Sequence, residues 1–369
     1  MNYKPRSPSG PPPRGGGGAA EKVPNRQEDR RPLYDFYAAY PCETQDDVRR
    51  IVGDHKMPYK ELVWPYSRVS LLAQALTSEV KDFARSGHPR FGGGYKGIVY
   101  RRKGNSPYTD EVIRPGLEQM DRLGIYPPHI ELQDLPPYSA YFQFRFTLAR
   151  PLYTRDDEEF YIHENPVMKE AVYKVPMLRA STWKGILRSV MARQLPEGEN
   201  APLVIRLFGQ ARDEEEELAE EGNMLGRVRP YPTFFDRIGL EVINPHSRTT
   251  RAGTVPIVME TVPPGASGVF TLLYLPFDML DRLPEEAASE VAEDLKALGE
   301  AIVLMMRVYG FSGKRTRGFG VAHLQVSGVD RPEGVVALKD RGWRTFTTLT
   351  ELPDALDLLL GIPTEGERR

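Results

Sequence analysis

Two short segments hold the residue types that grip an anion. Residues 310–320, GFSGKRTRGFG, place four glycines and three basic residues within eleven positions. Glycine lets backbone amides close on a phosphate, and Lys314, Arg315 and Arg317, bracketed by Gly313 and Gly318, bring positive charge to the same spot. Residues 179–188, RASTWKGILR, read as a helix start in which Ser181 caps the first turn and Lys184 and Arg188, four apart, share one side. A capped helix start carrying two cations is a second arrangement that holds a nucleic-acid backbone. A third segment, HENP at 163–166, sets His163 beside Glu164 in a loop already holding Asp156, Asp157, Glu158 and Glu159. Histidine titrates near neutral pH and is suited to acid or base work, while a lone loop histidine serves structure or surface just as readily.

The charge along the chain supports an anion partner better than the total does. Net charge is only −2, yet the islands 179–193, 227–251 and 301–325 together carry +11. The compensating acid gathers in 211–222, net −6, and in 271–300, also net −6. Such segregation predicts an anion-binding face opposite a solvated acidic one. Cys42 is the single cysteine, which excludes an intrachain disulfide and a cysteine-built zinc site, and the six histidines are too scattered for a histidine cluster. No apolar run reaches membrane length and the first residues lack the apolar core of a signal peptide, so a soluble, unsecreted protein is expected.

The elements that must position these segments follow from periodicity. With 369 residues, 33 of them glycine and 33 proline, one elaborated domain or two with many turns is expected. Residues 1–32 are poor in large apolar side chains and read as a disordered tail; 33–135 read as a mainly helical extension. Within the extension, TQDDVRRIVGD has a threonine-capped start, RVSLLAQALTSEVKDFARSG and DEVIRPGLEQMDRLG follow as helices, and RFGGGYKGIVYRRKG reads as a flexible loop, because no Gly-Lys-Ser/Thr completes a phosphate cradle. A core follows over 136–330: a strand at 139–149, a helix from Ser181, short strands through 227–274 with an insertion around 236–265, a helix over 285–308 and a closing strand VAHLQV. Residues 331–369 add a strand at 342–348 and a helix at 350–360. The order strand, helix, strands, helix, strand predicts an α+β, ferredoxin-like or RRM-like fold.

With these motifs in this order, the sequence resembles the RAMP superfamily of CRISPR-associated proteins, and within it the repeated backbone subunits of type III effector complexes. STWKGILR is similar to that family's serine-x-x-Lys-Gly-x-x-Arg helix start, GKRTRGFG to its C-terminal glycine-rich loop, IRLFG to the Leu-Phe-Gly after the first helix, and NPHSRTTRAGTVPIVMETVPPGASGVF to its thumb hairpin. The resemblance covers roughly 139–327, about half the chain.

The resemblance implies a subunit that holds CRISPR guide RNA by its phosphates, positions a complementary target RNA and assembles with other subunits, copies of itself included, in a prokaryotic cytoplasm. It assigns guide contact to Ser181, Lys184, Arg188, Gly313, Lys314, Arg315, Arg317 and Gly318, and places Arg248 and Arg251 near the guide–target duplex. The family's loop carries an aspartate two residues before a proline, for metal-dependent cutting of target RNA. Here Glu164 holds that position, so Mg²⁺-dependent cleavage with Glu164 as ligand and His163 beside it is implied only if a longer side chain can do the aspartate's work. The alternatives are a repeat-processing RAMP endoribonuclease, against which the hairpin block 244–270 speaks, and a non-catalytic capping subunit. Trp183 is expected to pack, as are Met259 and Val262.

Overall fold

The computed structural model describes residues 35–362 apart from His55, Pro89, Phe91 and Glu159 and the segments 211–224 and 245–255. The expectations for the tail 1–32, the acidic loop 211–222, Arg248 and Arg251 therefore lie outside the described residues. The chain divides into two compact units, 1–40 and 41–369. In the first, helix α1 (Phe36–Ala39) is capped by Asp35, whose carboxylate accepts from the Tyr37 amide.

The second unit is built on one antiparallel sheet. Strands β1 (Ala140–Leu148), β3 (Val228–Pro230), β7 (Ser267–Tyr274) and β8 (Ala322–Ser327) lie in the order β8-β1-β7-β3. Helices α7 (Ala180–Ala192) and α9 (Pro284–Leu304) follow the first and third of them, which is the split β-α-β arrangement that the sequence order predicts. The apolar positions of β1, Phe142, Phe144 and Phe146, alternate with polar ones and are buried. Trp183 of α7 closes this core edge-to-face on Phe270, with 5.0 Å between ring centres. Its indole N–H donates to Thr233 at 3.0 Å, so Trp183 packs as expected.

Two strands lengthen the sheet. β9 (Gly334–Leu338) pairs with residues 140–143 of β1, sharing that edge with β8, and β10 (Gly342–Phe346) pairs with β9. The sequence pattern gives β10 and the last helix, α10 (Leu352–Leu360), but misses β9. GVVAL is buried at every position and so lacks the alternation of a half-exposed strand.

The extension is helical, with differences from expectation. α2 (Gln45–Val52) starts on a Thr44–Asp47 capping box. The next predicted helix is broken into α3 (Pro65–Leu72), a 3₁₀ turn at Ala73–Thr77 and α4 (Lys81–Ser86), because Ser78 is extended. RFGGGYKGIVYRRKG is not a loop throughout: Gly94–Val99 form α5, burying Tyr95, Ile98 and Val99. A Cβ on Gly94 would lie 2.7 Å from the Phe83 carbonyl, so its glycine lets α5 approach α4. α6 (Arg114–Arg122) follows a π turn at Thr109–Ile113, since Pro115 has no amide to donate. Between α7 and β3, α8 (Pro202–Phe208) carries the Leu-Phe of the LFG motif. No described helix is long and apolar enough to cross a membrane.

The remaining strands pair outside the main sheet. β2 (Met177–Leu178) pairs with β4 (Thr233–Phe234), and β5 (Gly239–Ile243) pairs with β6 (Ile257–Thr261) as a hairpin.

Candidate nucleic-acid interface and loop site

The glycine-rich loop is exposed from Gly313 to Gly318 and pinned at its base. Ser312 Oγ accepts from the Tyr153 amide at 2.8 Å, the Gly313 amide donates to the Tyr153 carbonyl at 2.8 Å, and the Gly320 amide donates to the Pro151 carbonyl at 2.7 Å. Lys314 and Gly318 both have positive φ, +64° and +77°, around a single 3₁₀ turn at Arg315–Arg317. The Lys314, Arg315 and Arg317 side chains form no ion pair with an acid among the described residues. Phe311, three residues before Lys314, packs on Trp183 at 4.9 Å between ring centres. One contact thus brings the loop's root to the first turns of α7.

At that helix start the chain corrects one expectation. The cap is Arg179, whose carbonyl accepts from the Thr182 and Trp183 amides, and Ser181 sits inside the first turn, exposed, without capping. Leu178 is already paired in β2, so the chain passes straight from strand to helix at Arg179. Lys184 and Arg188 do share a side. Arg188 Nε lies 3.6 Å from Glu199, whereas Lys184 lines a cavity of about 340 Å³ with Ser181, Gly226 and Arg229. Burial, then the charges of Arg229 and Arg188, hold the Lys184 amine below its ordinary value. An amine half-buried beside two guanidinium groups is stabilised by an anion. Sequence reading missed Arg229, because its approach depends on β3 lying beside α7.

Not every arginine in the basic islands is available. Arg227 is buried, with Asp294 and Glu290 each at 2.6 Å and Asp278 also paired to it; outside the islands, Arg206 likewise reaches Asp294 at 2.6 Å. Asp294, buried, is therefore an internal counter-charge with Glu290 beside it, whereas Asp281, Glu285, Glu286, Glu293 and Glu300 of the same stretch are exposed.

Glu164 presents the opposite picture. It is exposed, but its Oε1 accepts from Arg85 of α4 at 3.1 Å and lies 3.7 Å from Lys81. The Arg85 hydrogen bond, then its charge, lowers the Glu164 pKa. Arg85 Nε also donates to the Ile162 carbonyl at 2.9 Å. His163 is buried against Tyr95, and desolvation lowers its pKa, which leaves it neutral at pH 7.

Beneath this loop lies a buried charge that the sequence did not reveal. Glu260 of β6 accepts from Lys169 Nζ at 2.5 Å, from Tyr161 at 2.7 Å, from the Val167 amide at 2.9 Å, and from Tyr95 of α5. Burial pushes the Glu260 carboxyl up, and the Lys169 charge with the Lys169, Tyr95 and Tyr161 hydrogen bonds outweighs it, so the pKa ends below the ordinary value. The Asn165 side-chain amide donates to the Val258 carbonyl at 3.2 Å, tying the loop to the same strand. The only sequence sign was an acid between buried neighbours in VMET. Met259 and Val262 are core, as expected.

The hairpin separates the two regions. On one face Ile243 and Met259 pack with Tyr153 and Phe319 of the glycine-rich loop; on the other Leu240, Val242 and Val258 face the extension.

The RAMP superfamily model matches residues 91–323. The chain belongs to the RAMP superfamily. The matched span starts inside the helical extension, 48 residues before the start of the resemblance at 139, and ends in β8. One chain of a cryo-EM structure of the Type III-B Cmr-beta bound to cognate target RNA is similar to this RAMP chain at 15% identity and a TM-score of 0.43, covering 82% of this chain and 99% of that one. Comparison with the curated proteins finds no match.

In the loop of this RAMP protein the Glu164 carboxylate is engaged by Arg85 and Lys81, and among the described residues no group of three or more His, Cys, Asp and Glu side chains converges to hold a metal ion.

Proposed function

We propose that this RAMP protein is a guide-RNA-binding backbone subunit of a type III CRISPR effector complex, acting by binding rather than by cutting. The observation that carries the reading is the exposed Gly313–Gly318 loop, whose three cations find no acid among the described residues and whose backbone is held open by positive-φ positions. A strand phosphate supplies the missing counter-charge, and sequence reading is left to base pairing. Lys184 of α7 and Arg229 of β3, which line one cavity, offer a second cationic spot. Ser181 adds a hydroxyl, and Arg188 contributes once it exchanges Glu199 for a phosphate.

The test is binding of CRISPR guide RNA by the full chain across a salt series, comparing wild type with Lys314, Arg315 and Arg317 changed together to glutamine. A weaker and less salt-sensitive variant is expected; equal slopes would remove the loop from the RNA site. The non-cutting half of the reading is tested in an assembled complex with Mg²⁺ and matched target RNA. Cleavage at this subunit's position that disappears only in Glu164→Ala would overturn it.

A further inference from the structure

A cavity of about 660 Å³ opens between α4 and α5 of the extension and the outer face of the β5–β6 hairpin. Its hairpin wall is apolar and, among the described residues, uncovered. Val242 and Val258 stand directly opposite each other across the strands and are 61% and 38% exposed. Facing them is Tyr100, 41% exposed at the end of α5, with the Lys96 ammonium 5.9 Å from its ring. The polar lining carries Asp82 and Glu164 against Arg85 and Lys96, two charges of each sign, with Asn165 beside them and His163 neutral.

That inventory selects the ligand. A groove that tracks a phosphate backbone carries an excess of cations, as the glycine-rich loop does. A charge-balanced cavity with an apolar wall, an exposed aromatic ring and both donors and acceptors suits an uncharged planar group with hydrogen-bonding edges. We infer that this cavity takes an unpaired nucleobase of single-stranded RNA, stacked on Tyr100 against the Val242–Val258 wall with Asp82, Arg85 and Asn165 within reach of its edge. The inference rests on the RNA-binding reading and adds a second contact point, supplied by the extension, on the side of the hairpin away from the glycine-rich loop.

The experiment is photo-crosslinking of the full chain to single-stranded RNA containing 4-thiouridine, with the crosslinked residues mapped by mass spectrometry. Crosslinks on Tyr100 or on residues 240–242 and 256–258 are expected. Tyr100→Ala should remove them and weaken binding by about 5- to 150-fold, the range for loss of one base–aromatic stack, while Tyr100→Phe keeps both. Because Tyr100 is partly exposed, its thermal midpoint should stay near that of wild type, which separates lost stacking from lost fold. Crosslinks confined to α7 and the glycine-rich loop, with Tyr100→Ala binding like wild type, would overturn this inference and leave the RNA-binding reading intact. Wild type that binds no RNA overturns both. Crosslinks retained at Tyr100 in a Lys314/Arg315/Arg317 variant that binds like wild type would sink the glycine-loop reading alone.

Discussion

The glycine-rich loop and the Glu164 loop hang from the same short segment, residues 151–169, and handle charge in opposite ways. In the first, three cations stand exposed on a pinned backbone with no acid among the described residues to meet them. In the second, Glu164 meets Arg85 and Lys81, and Glu260 beneath it meets Lys169 and two tyrosines. Charge left unpaired on a rigid frame is positioned for a partner from outside, whereas charge paired within the fold holds the fold together. The hairpin lies between them, and its two-residue alternation sends Ile243 and Met259 to one region and Val242 and Val258 to the other.

The comparison breaks most visibly at Glu260. Removing one partner of a fully buried pair costs roughly 3–5 kcal/mol, so Glu260→Ala should lower unfolding stability by that order in a denaturant titration. Replacing both partners, Glu260→Leu with Lys169→Met, should recover a large part of the loss. A Glu260→Ala change below about 1 kcal/mol would mean that the pair is not structural.

Next in size is the loop triple variant. Each phosphate neutralised on a single strand adds about 0.7 to the log–log salt slope, so losing three should flatten the slope by roughly 2 and weaken binding on the order of 100-fold at about 0.1 M salt. Equilibrium binding at several salt concentrations measures both quantities.

Glu164→Gln sharpens the contrast by making the second region resemble the first. With Arg85 and Lys81 released, RNA affinity should rise a few fold and the salt slope steepen by up to about 0.7. Stability should change by less than about 1 kcal/mol, as for other exposed pairs. Weaker RNA binding in this variant would mean that the carboxylate itself serves the RNA.

The smallest effect concerns pH. The folded pKa of His163 is lowered by burial, so the unfolded chain takes up its proton first as pH falls past about 6.5. Its contribution is present above that pH and is lost as pH falls toward the folded value. Thermal midpoints between about pH 7 and about pH 5.5 should therefore decline less steeply in His163→Gln than in wild type. Parallel declines would show that His163 is not the titrating group.

What was legible in the chain was local. The glycine and arginine content of 310–320 marks an exposed basic turn whatever surrounds it, and the alternation in β1 and the spacing in α9 give the fold order. Locality also explains the misreadings. Ser181 has the side chain of a cap, but the strand that ends at Leu178 moves the helix start to Arg179. The glycines of 92–94 suggested a loop until α4 gave α5 something to pack against.

By itself the sequence determined the α+β order, the RAMP motifs and the place of the basic loop, because each rests on residues within a few positions of one another. Only the tertiary structure decided which charges are free. Arg85 lies 79 residues from Glu164 and Lys169 lies 91 from Glu260, and whether such groups meet depends on how helices and hairpin pack. An ion pair is a short-range contact in space with no period along the chain, so the fold alone settled what each loop has left to offer RNA.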